Sequence, residues 1–313
     1  MLVRNMLVQL GMLVPLLFPS TPLVAQTRQP ELLASRVRVT RVTLAPDHPM
    51  QGTLFQVFVH PGTLGARDVV AVNGECAGEP LHFEKRGGVW WALAAVPIGA
   101  SGELTMPIVL EDGGPPDTLL ATVPVRKGDY HMERLRVAPE FGRPPSAALR
   151  RRMADEAARA HRVSRASHNV PRLWEPPFRL PRDSRITSGF GDGREFNGRV
   201  QSRHMGVDLA GRRGAPVRAM ANGFVALTGH FYLGGNVVYI DHGAGLVSAY
   251  LHLSRILVTQ GQAVSAGEVI GQVGATGRVT GPHLHWIVRY GRITVSGLSL
   301  PGLNPGSRPT SRD

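Results

Sequence analysis

From about Arg182 onward the chain is cut every few residues by glycine, and the runs between carry β-branched and aromatic residues without a helical period. Gly261, Gly267, Gly271, Gly274, Gly277 and Gly281 mark tight turns or points of close backbone approach. Residues 237–240 and 246–251 flank Asp241-His-Gly-Ala-Gly245 and read as a hairpin. The sequence therefore predicts a β-rich C-terminal domain over 181–300, followed by a polar, flexible tail at 301–313.

The first half is also expected to be β, in a different arrangement. Short β-like runs at 36–40, 53–59, 68–72, 89–93 and 104–110 are separated by Gly/Pro signals such as Gly87-Gly88 and Asp112-Gly-Gly-Pro-Pro116. This spacing predicts a small β-sandwich, immunoglobulin-like, over 26–126. Its histidines, His48, His60 and His82, are scattered, so it reads as an accessory or positioning module. Residues 127–180 form a connector. Ser146 is a candidate helix cap, and Leu149, Met153, Ala157 and Ala160 follow at the steps of one helix face. A helix over about 146–163 is expected to act as a strut, with Arg150, Arg151, Arg152, Asp155 and Glu156 solvated on its other face. After it, Trp174 and Phe178 lie in an extended segment expected to pack onto the C-terminal domain.

With 313 residues the chain has room for about two domains. Residues 1–25 read as a secretory signal: Arg4 gives a short positive region, an uncharged apolar run follows from Met6 to Leu17, and Ala25 ends a cleavage site. That run is too short to cross a bilayer, so no stable membrane insertion is expected once the signal is removed. The expected address is periplasmic or secreted. Cys76 is the one cysteine, so no intramolecular disulfide can form, and it reads as a buried small apolar residue. Net charge is +12, from 35 basic and 23 acidic residues. No nucleic-acid motif accompanies this charge, so nucleic acid is not an expected partner. An acidic cell-wall matrix or a solvated basic surface accounts for it. Nothing in the sequence sets the oligomeric state.

One constellation carries chemistry. His204-Met-Gly-Val-Asp208, Tyr250-Leu-His252 and Pro282-His283-Leu-His285 place histidines and an aspartate where a zinc site needs them. Zinc in a hydrolase takes three protein ligands and keeps a fourth position open. His204, Asp208 and His285 can supply the three, which leaves His252 and His283 as neutral bases beside the open position. If 283–285 is a strand, His283 and His285 point to the same face. By the same count Ser248, Tyr250 and His252 share a face, and His204 and Asp208 agree in phase if their segment is extended. Tyr250 then either offers its phenol to an oxyanion or packs. His242 reads as a structural hydrogen-bonding residue, His230 as a loop residue that can contact substrate, and Asn197-Gly198 as a turn near the groove.

These residues, as spaced, resemble the lysostaphin-type (LytM-like) zinc endopeptidases, peptidoglycan hydrolases whose ligand motif is H-x-x-x-D with the second His of a terminal H-x-H. The likeness begins at Thr187-Ser-Gly-Phe-Gly191 and Arg194 and continues through Gly214-Ala-Pro-Val-Arg-Ala219, Ile240-Asp-His-Gly243 and Val264-Ser-Ala-Gly-Glu-Val-Ile-Gly271. It implies a compact antiparallel β fold with a narrow groove. It also implies one zinc ion on His204, Asp208 and His285, with His252 and His283 as catalytic histidines. The implied activity is hydrolysis of peptide crosslinks or stem peptides of bacterial peptidoglycan by activated water. Which histidine is the base, which peptide bond is cut, and whether the first domain or connector covers the groove stay open. The alternative is a non-catalytic activator or binding protein on the same fold; such relatives have lost ligands, and none is lost here. No H-E-x-x-H occurs, which excludes zinc peptidases with a glutamate base in that motif.

Overall fold

The computed structural model describes residues 40–62, 68–135, 145–196 and 199–303. The expected signal, the strand at 36–39, the Asn197-Gly198 turn and residues 304–313 of the tail lie outside the described residues. All described residues fall in one compact unit, Val37–Asp313.

Eight strands come first: β1 (Arg41–Ala45), β2 (Leu54–His60), β3 (Ala71–Cys76), β4 (Glu79–Pro80), β5 (Glu84–Arg86), β6 (Val89–Ala95), β7 (Glu103–Glu111) and β8 (Asp117–Pro124). They form two antiparallel four-stranded sheets, ordered β1-β2-β6-β5 and β4-β3-β7-β8. The sheets face each other across one core. Phe55, Val57 and Val59 enter it from β2, Met106, Ile108 and Leu110 from β7, and Cys76 from β3. Alternation along β7 sets which residues enter, since every second side chain of a strand points the same way. The runs expected at 53–59, 89–93 and 104–110 fall on β2, β6 and β7, whereas the run at 68–72 becomes strand only from Ala71.

Strand β6 is buried on both faces. Ala92 and Ala94 point into the sandwich core, while Trp91, Leu93 and Ala95 join a second core shared with the C-terminal sheet. This explains the unbroken apolar run 89–95, which shows no period-two polar face.

The connector and second half contain β9 (Met132–Leu135), helix α1 (Ala147–Ala166), β10 (Ile186–Ser188), β11 (Gly193–Phe196), β12 (Arg199–Arg203), β13 (Val207–Ala210), β14 (Pro216–Arg218), β15 (Gly223–Phe231), β16 (Gly235–Asp241), β17 (Leu246–Ile256), β18 (Ala263–Val264), β19 (Val269–Val273), β20 (His283–Tyr290) and β21 (Ile293–Val295). The main sheet runs β10-β13-β20-β17-β16-β15-β18, with β14, β19 and β21 attached at its sides, and its pairings are antiparallel. The hairpin expected around residues 241–245 joins β16 to β17. A small sheet, β12-β11-β9, brings the connector strand β9 parallel to β11.

Helix α1 starts where the cap signal places it: Ser146 Oγ accepts from the Leu149 N–H at 3.2 Å. It differs from expectation in two ways. It is no strut, because Ala160 packs with Leu227, Phe231, Val237 and Val247 on the outer face of the main sheet. Its inward face also carries Glu156 rather than Ala157, which is exposed. The Glu156 carboxylate accepts from the Tyr232 N–H at 2.8 Å and from Arg152 at 2.8 Å, so a charged residue holds an inward position because it is bonded there. Beyond the helix, Trp174 and Phe178 enter the shared core, and Trp174 meets Trp91 edge-on at 5.9 Å.

Candidate functional site

Three neighbouring strands of the main sheet build the site. Asp208 on β13 lies directly opposite His285 on β20, and Leu251 on β17 lies on the other side of His285. Leu284 and Trp286 point into the core, so His283 and His285 project from the opposite face, as the strand period requires. His204 arrives differently from expectation. It lies between β12 and β13 rather than in one strand with Asp208, and the chain bends at Gly206. A Cβ at Gly206 would stand 2.6 Å from the His285 ring, so only glycine lets this turn pass the imidazole.

The three donor groups form a tight triangle. His204 Nε2 is 3.1 Å from Asp208 Oδ1 and 3.0 Å from His285 Nδ1, and His285 Nδ1 is 2.7 Å from Asp208 Oδ1. A tetrahedral zinc with bonds of about 2.0–2.1 Å separates its ligand atoms by about 3.3–3.4 Å, so small outward shifts would seat the ion. The surroundings already point two of the donors inward. His204 Nδ1 donates to Gly189 O at 2.6 Å, and this leaves Nε2 as the lone-pair atom in the triangle. Arg194 Nη2 donates to Asp208 Oδ2 at 2.7 Å, so the carboxylate presents Oδ1 alone. Glu133 Oε2 in turn accepts from Arg194 Nε at 3.0 Å. The donor set fits a divalent metal: two imidazole nitrogens and one carboxylate oxygen, all buried, with His204 and Asp208 held from behind.

His252 and His283 stand beside the triangle, their ring centroids 5.0 Å apart. His252 Nδ1 donates to Thr276 O at 2.8 Å and His283 Nδ1 to Gly281 O at 2.8 Å. A carbonyl can only accept, so each ring keeps its proton on Nδ1 and leaves Nε2 free to accept one. His283 Nε2 lies 3.6 Å from Asp208 Oδ1. Burial, then the neighbouring His285 and His283, pull His252 down to about 3, well below the 6.5 assumed for an unperturbed imidazole. Burial likewise pulls His285 to about 4. For Asp208 burial works in the opposite direction, but the adjoining His204 and His285 imidazoles outweigh it and hold the carboxyl below the usual carboxylate range.

The shared face expected for Tyr250 and His252 is not found. His252 has φ +61°, a left-handed conformation that breaks the strand alternation. The register of β17 slips at this point, between Leu253 and Arg255. Tyr250 therefore stays in the core, its hydroxyl accepting from the Met220 N–H at 2.9 Å and bonded to Ser248 Oγ at 2.9 Å. The left-handed turn is what aims His252 into the groove. His242 is fully buried between Asn222 O and Ser248 Oγ, and His230 bonds Asn236; neither lines the groove.

The groove over these residues encloses about 560 Å³. Glu133 and Arg194 contribute to its wall, and sequence reasoning gave neither a role. Arg194 stood within the quoted likeness, but Glu133 sits in a connector strand 61 residues away and carries no local signal.

With this geometry in view, the sequence profile of peptidase family M23 matches residues 202–296, which hold all five of these residues. Residues 202–296 are thus similar to peptidase family M23. The chain is 44% identical over 129 residues to the peptidoglycan DD-endopeptidase ShyA of Vibrio cholerae, covering 39% of this chain and 30% of ShyA. It is 45% identical over 97 residues to the DD-carboxypeptidase/endopeptidase Mpg of Neisseria meningitidis, covering 31% of this chain and 22% of Mpg. The chain thus spans less than a third of the length of these curated relatives. A solved Pseudomonas aeruginosa structure assigned to peptidase M23 aligns over 81% of this chain and 95% of its own, with 26% identity and a TM-score of 0.60.

Proposed function

We propose that the protein is an exported, zinc-dependent endopeptidase that hydrolyses peptide crosslinks or stem peptides of bacterial peptidoglycan. The observation that carries this reading is the donor triangle of His204, Asp208 and His285 with two further imidazoles on one side of it. The named activities of ShyA and Mpg supply the substrate class. An immunoglobulin-like accessory module over 26–126 and a hydrolase domain over 181–300 complete the proposal; the sheet orders β1-β2-β6-β5 and β4-β3-β7-β8 support the first.

His204, Asp208 and His285 would hold zinc, which would supply Lewis acidity toward the scissile carbonyl and toward water near neutral pH. The chain's own residues do the rest. His252 and His283 present lone pairs at Nε2, so one takes the proton of the attacking water and the leaving amine recovers it. The other imidazole, carrying at Nε2 a proton taken up from solvent, donates to the oxygen on which charge develops. Arg194 keeps Asp208 oriented throughout, and Glu133 keeps Arg194 in place.

The test uses the purified protein on isolated peptidoglycan, with mass spectrometry of the soluble products and metal analysis of the same sample. One zinc per chain and release of monomeric muropeptides from crosslinked dimers are expected. H204A should lose both while keeping the wild-type circular dichroism spectrum. Wild-type turnover by folded H204A would overturn the proposal.

A further inference from the structure

Helix α1 and the groove lie on the same face of the main sheet. Leu251 packs in one cluster with Ala160 of the helix, pairs with His285, and also lines the groove. Between helix and groove runs the turn Tyr232-Leu233-Gly234, which joins β15 to β16 and contributes Leu233 and Gly234 to the groove wall. These residues lie outside the strand ladder, which closes at Phe231 opposite Gly235. What holds them therefore decides where this part of the wall stands.

The turn is gripped from two sides. On the helix side, Glu156 Oε2 accepts from the Tyr232 N–H at 2.8 Å, and Oε1 accepts from Arg152 Nε at 2.8 Å. The Glu156 side chain is only 12% exposed there. On the site side, Gly234 O accepts from the His252 N–H at 2.8 Å. His252 needs this grip more than an ordinary strand residue does. A φ of +61° is costly for a residue with a Cβ and persists only where neighbours impose it. Its ring is held as well, Nδ1 donating to Thr276 O at 2.8 Å, and Thr276 is tied to the same hairpin, its Oγ1 accepting from the Asn236 N–H at 3.0 Å. A continuous path of hydrogen bonds and one short turn thus connects a carboxylate on the connector helix to the backbone of His252.

We propose that Glu156 is a positioning residue for hydrolysis. It anchors the 232–234 turn, the turn anchors the left-handed backbone of His252, and the His252 ring is thereby kept 5.0 Å from that of His283 and 5.7 Å from that of His285. Glu156 lies outside residues 202–296, so a helix beyond the reach of the family profile completes the site. The inference rests on the reading of His252 as a catalytic imidazole.

The experiment compares full-length E156M and E156Q with wild type. Methionine keeps the reach and helix propensity of glutamate but offers only a weak thioether acceptor, whereas glutamine keeps one carbonyl oxygen for the Tyr232 N–H. Amide hydrogen exchange at His252 is followed by NMR on metal-free protein, and kcat and KM are measured on the zinc-loaded form with a crosslinked stem-peptide dimer. E156M should exchange the His252 amide at least about 10-fold faster. It should also lose about 10- to 100-fold in kcat, with KM and zinc content near wild type. E156Q should recover most of both. I108V, which removes a buried methyl group from the sandwich core, lowers stability without touching the turn and should move neither. If E156M does not fold, E156D, whose carboxylate falls one methylene short, is read in the same way. Wild-type exchange and kcat in folded E156M or E156D overturn the proposal, as does a kcat loss that I108V reproduces. Absence of cleavage by wild type would count against the peptidase reading, and exchange at His252 would still decide the role of Glu156.

Discussion

At the scale of single residues, the site depends on groups behind the ligands as much as on the ligands. Arg194 joins three partners, Asp208, Ser188 and Glu133, within 3.0 Å. Its removal frees Asp208 Oδ2 and lets the carboxylate turn. We expect R194M to weaken zinc affinity about 10- to 100-fold, measured by competition with a chromophoric chelator, with little change in thermal stability of the metal-free protein. The phase of His283 and His285 was legible in the sequence because it follows from strand alternation; the approach of His204 to Asp208 through the bend at Gly206 was not. The conformation of His252 was not: a left-handed residue inside a strand reverses the face of everything after it, and nothing in Tyr250-Leu-His252 announces it. Glu133 was equally hidden, since its partner Arg194 is reached only through the parallel pairing of β9 with β11.

At the scale of elements, the connector does more than join. Helix α1 lies against β15, β16 and β17, with Ala160 only 3% exposed at the contact. The small side chain sets how closely helix and sheet approach. A160L should therefore overpack the contact and cost about 1–3 kcal/mol, read from the denaturant midpoint. The helix itself was readable from Ser146 and the apolar steps after it. Its inward face was misjudged at Ala157 because periodicity counts apolar residues only, and Glu156 occupies an inward position through its bonds to Tyr232 N and Arg152.

At the scale of the whole molecule, buried histidines outside the site make the fold sensitive to acid. His242 is fully buried and neutral, and burial lowers its pKa to about 4. The unfolded chain takes up that proton near 6.5, so stability falls as pH drops from 6.5 towards 4 and is fully present above that window. His82, also pulled to about 4 by burial and then by His168, acts in the same direction. Metal-free wild type should lose about 2 kcal/mol through His242 between pH 7.5 and pH 5, and denaturation of H242N should show a correspondingly shallower pH dependence. The predominance of strand in both halves of the chain could be read from strand spacing and glycine punctuation. How the parts meet could not, because Trp91, Leu93 and Ala95 look like any interior strand residues until their neighbours are known.

That meeting is built around Arg172, whose guanidinium lies 4.2 Å from the Trp91 ring and 4.5 Å from Trp174 while donating to Glu84 at 2.8 Å. With β6 covered on each side, neither half carries a finished surface of its own. A protease nick between them would leave indole rings facing solvent and fragments that clump, whereas the intact polypeptide should melt in a single calorimetric peak. In such a molecule the groove and the sandwich are kept or lost as one piece.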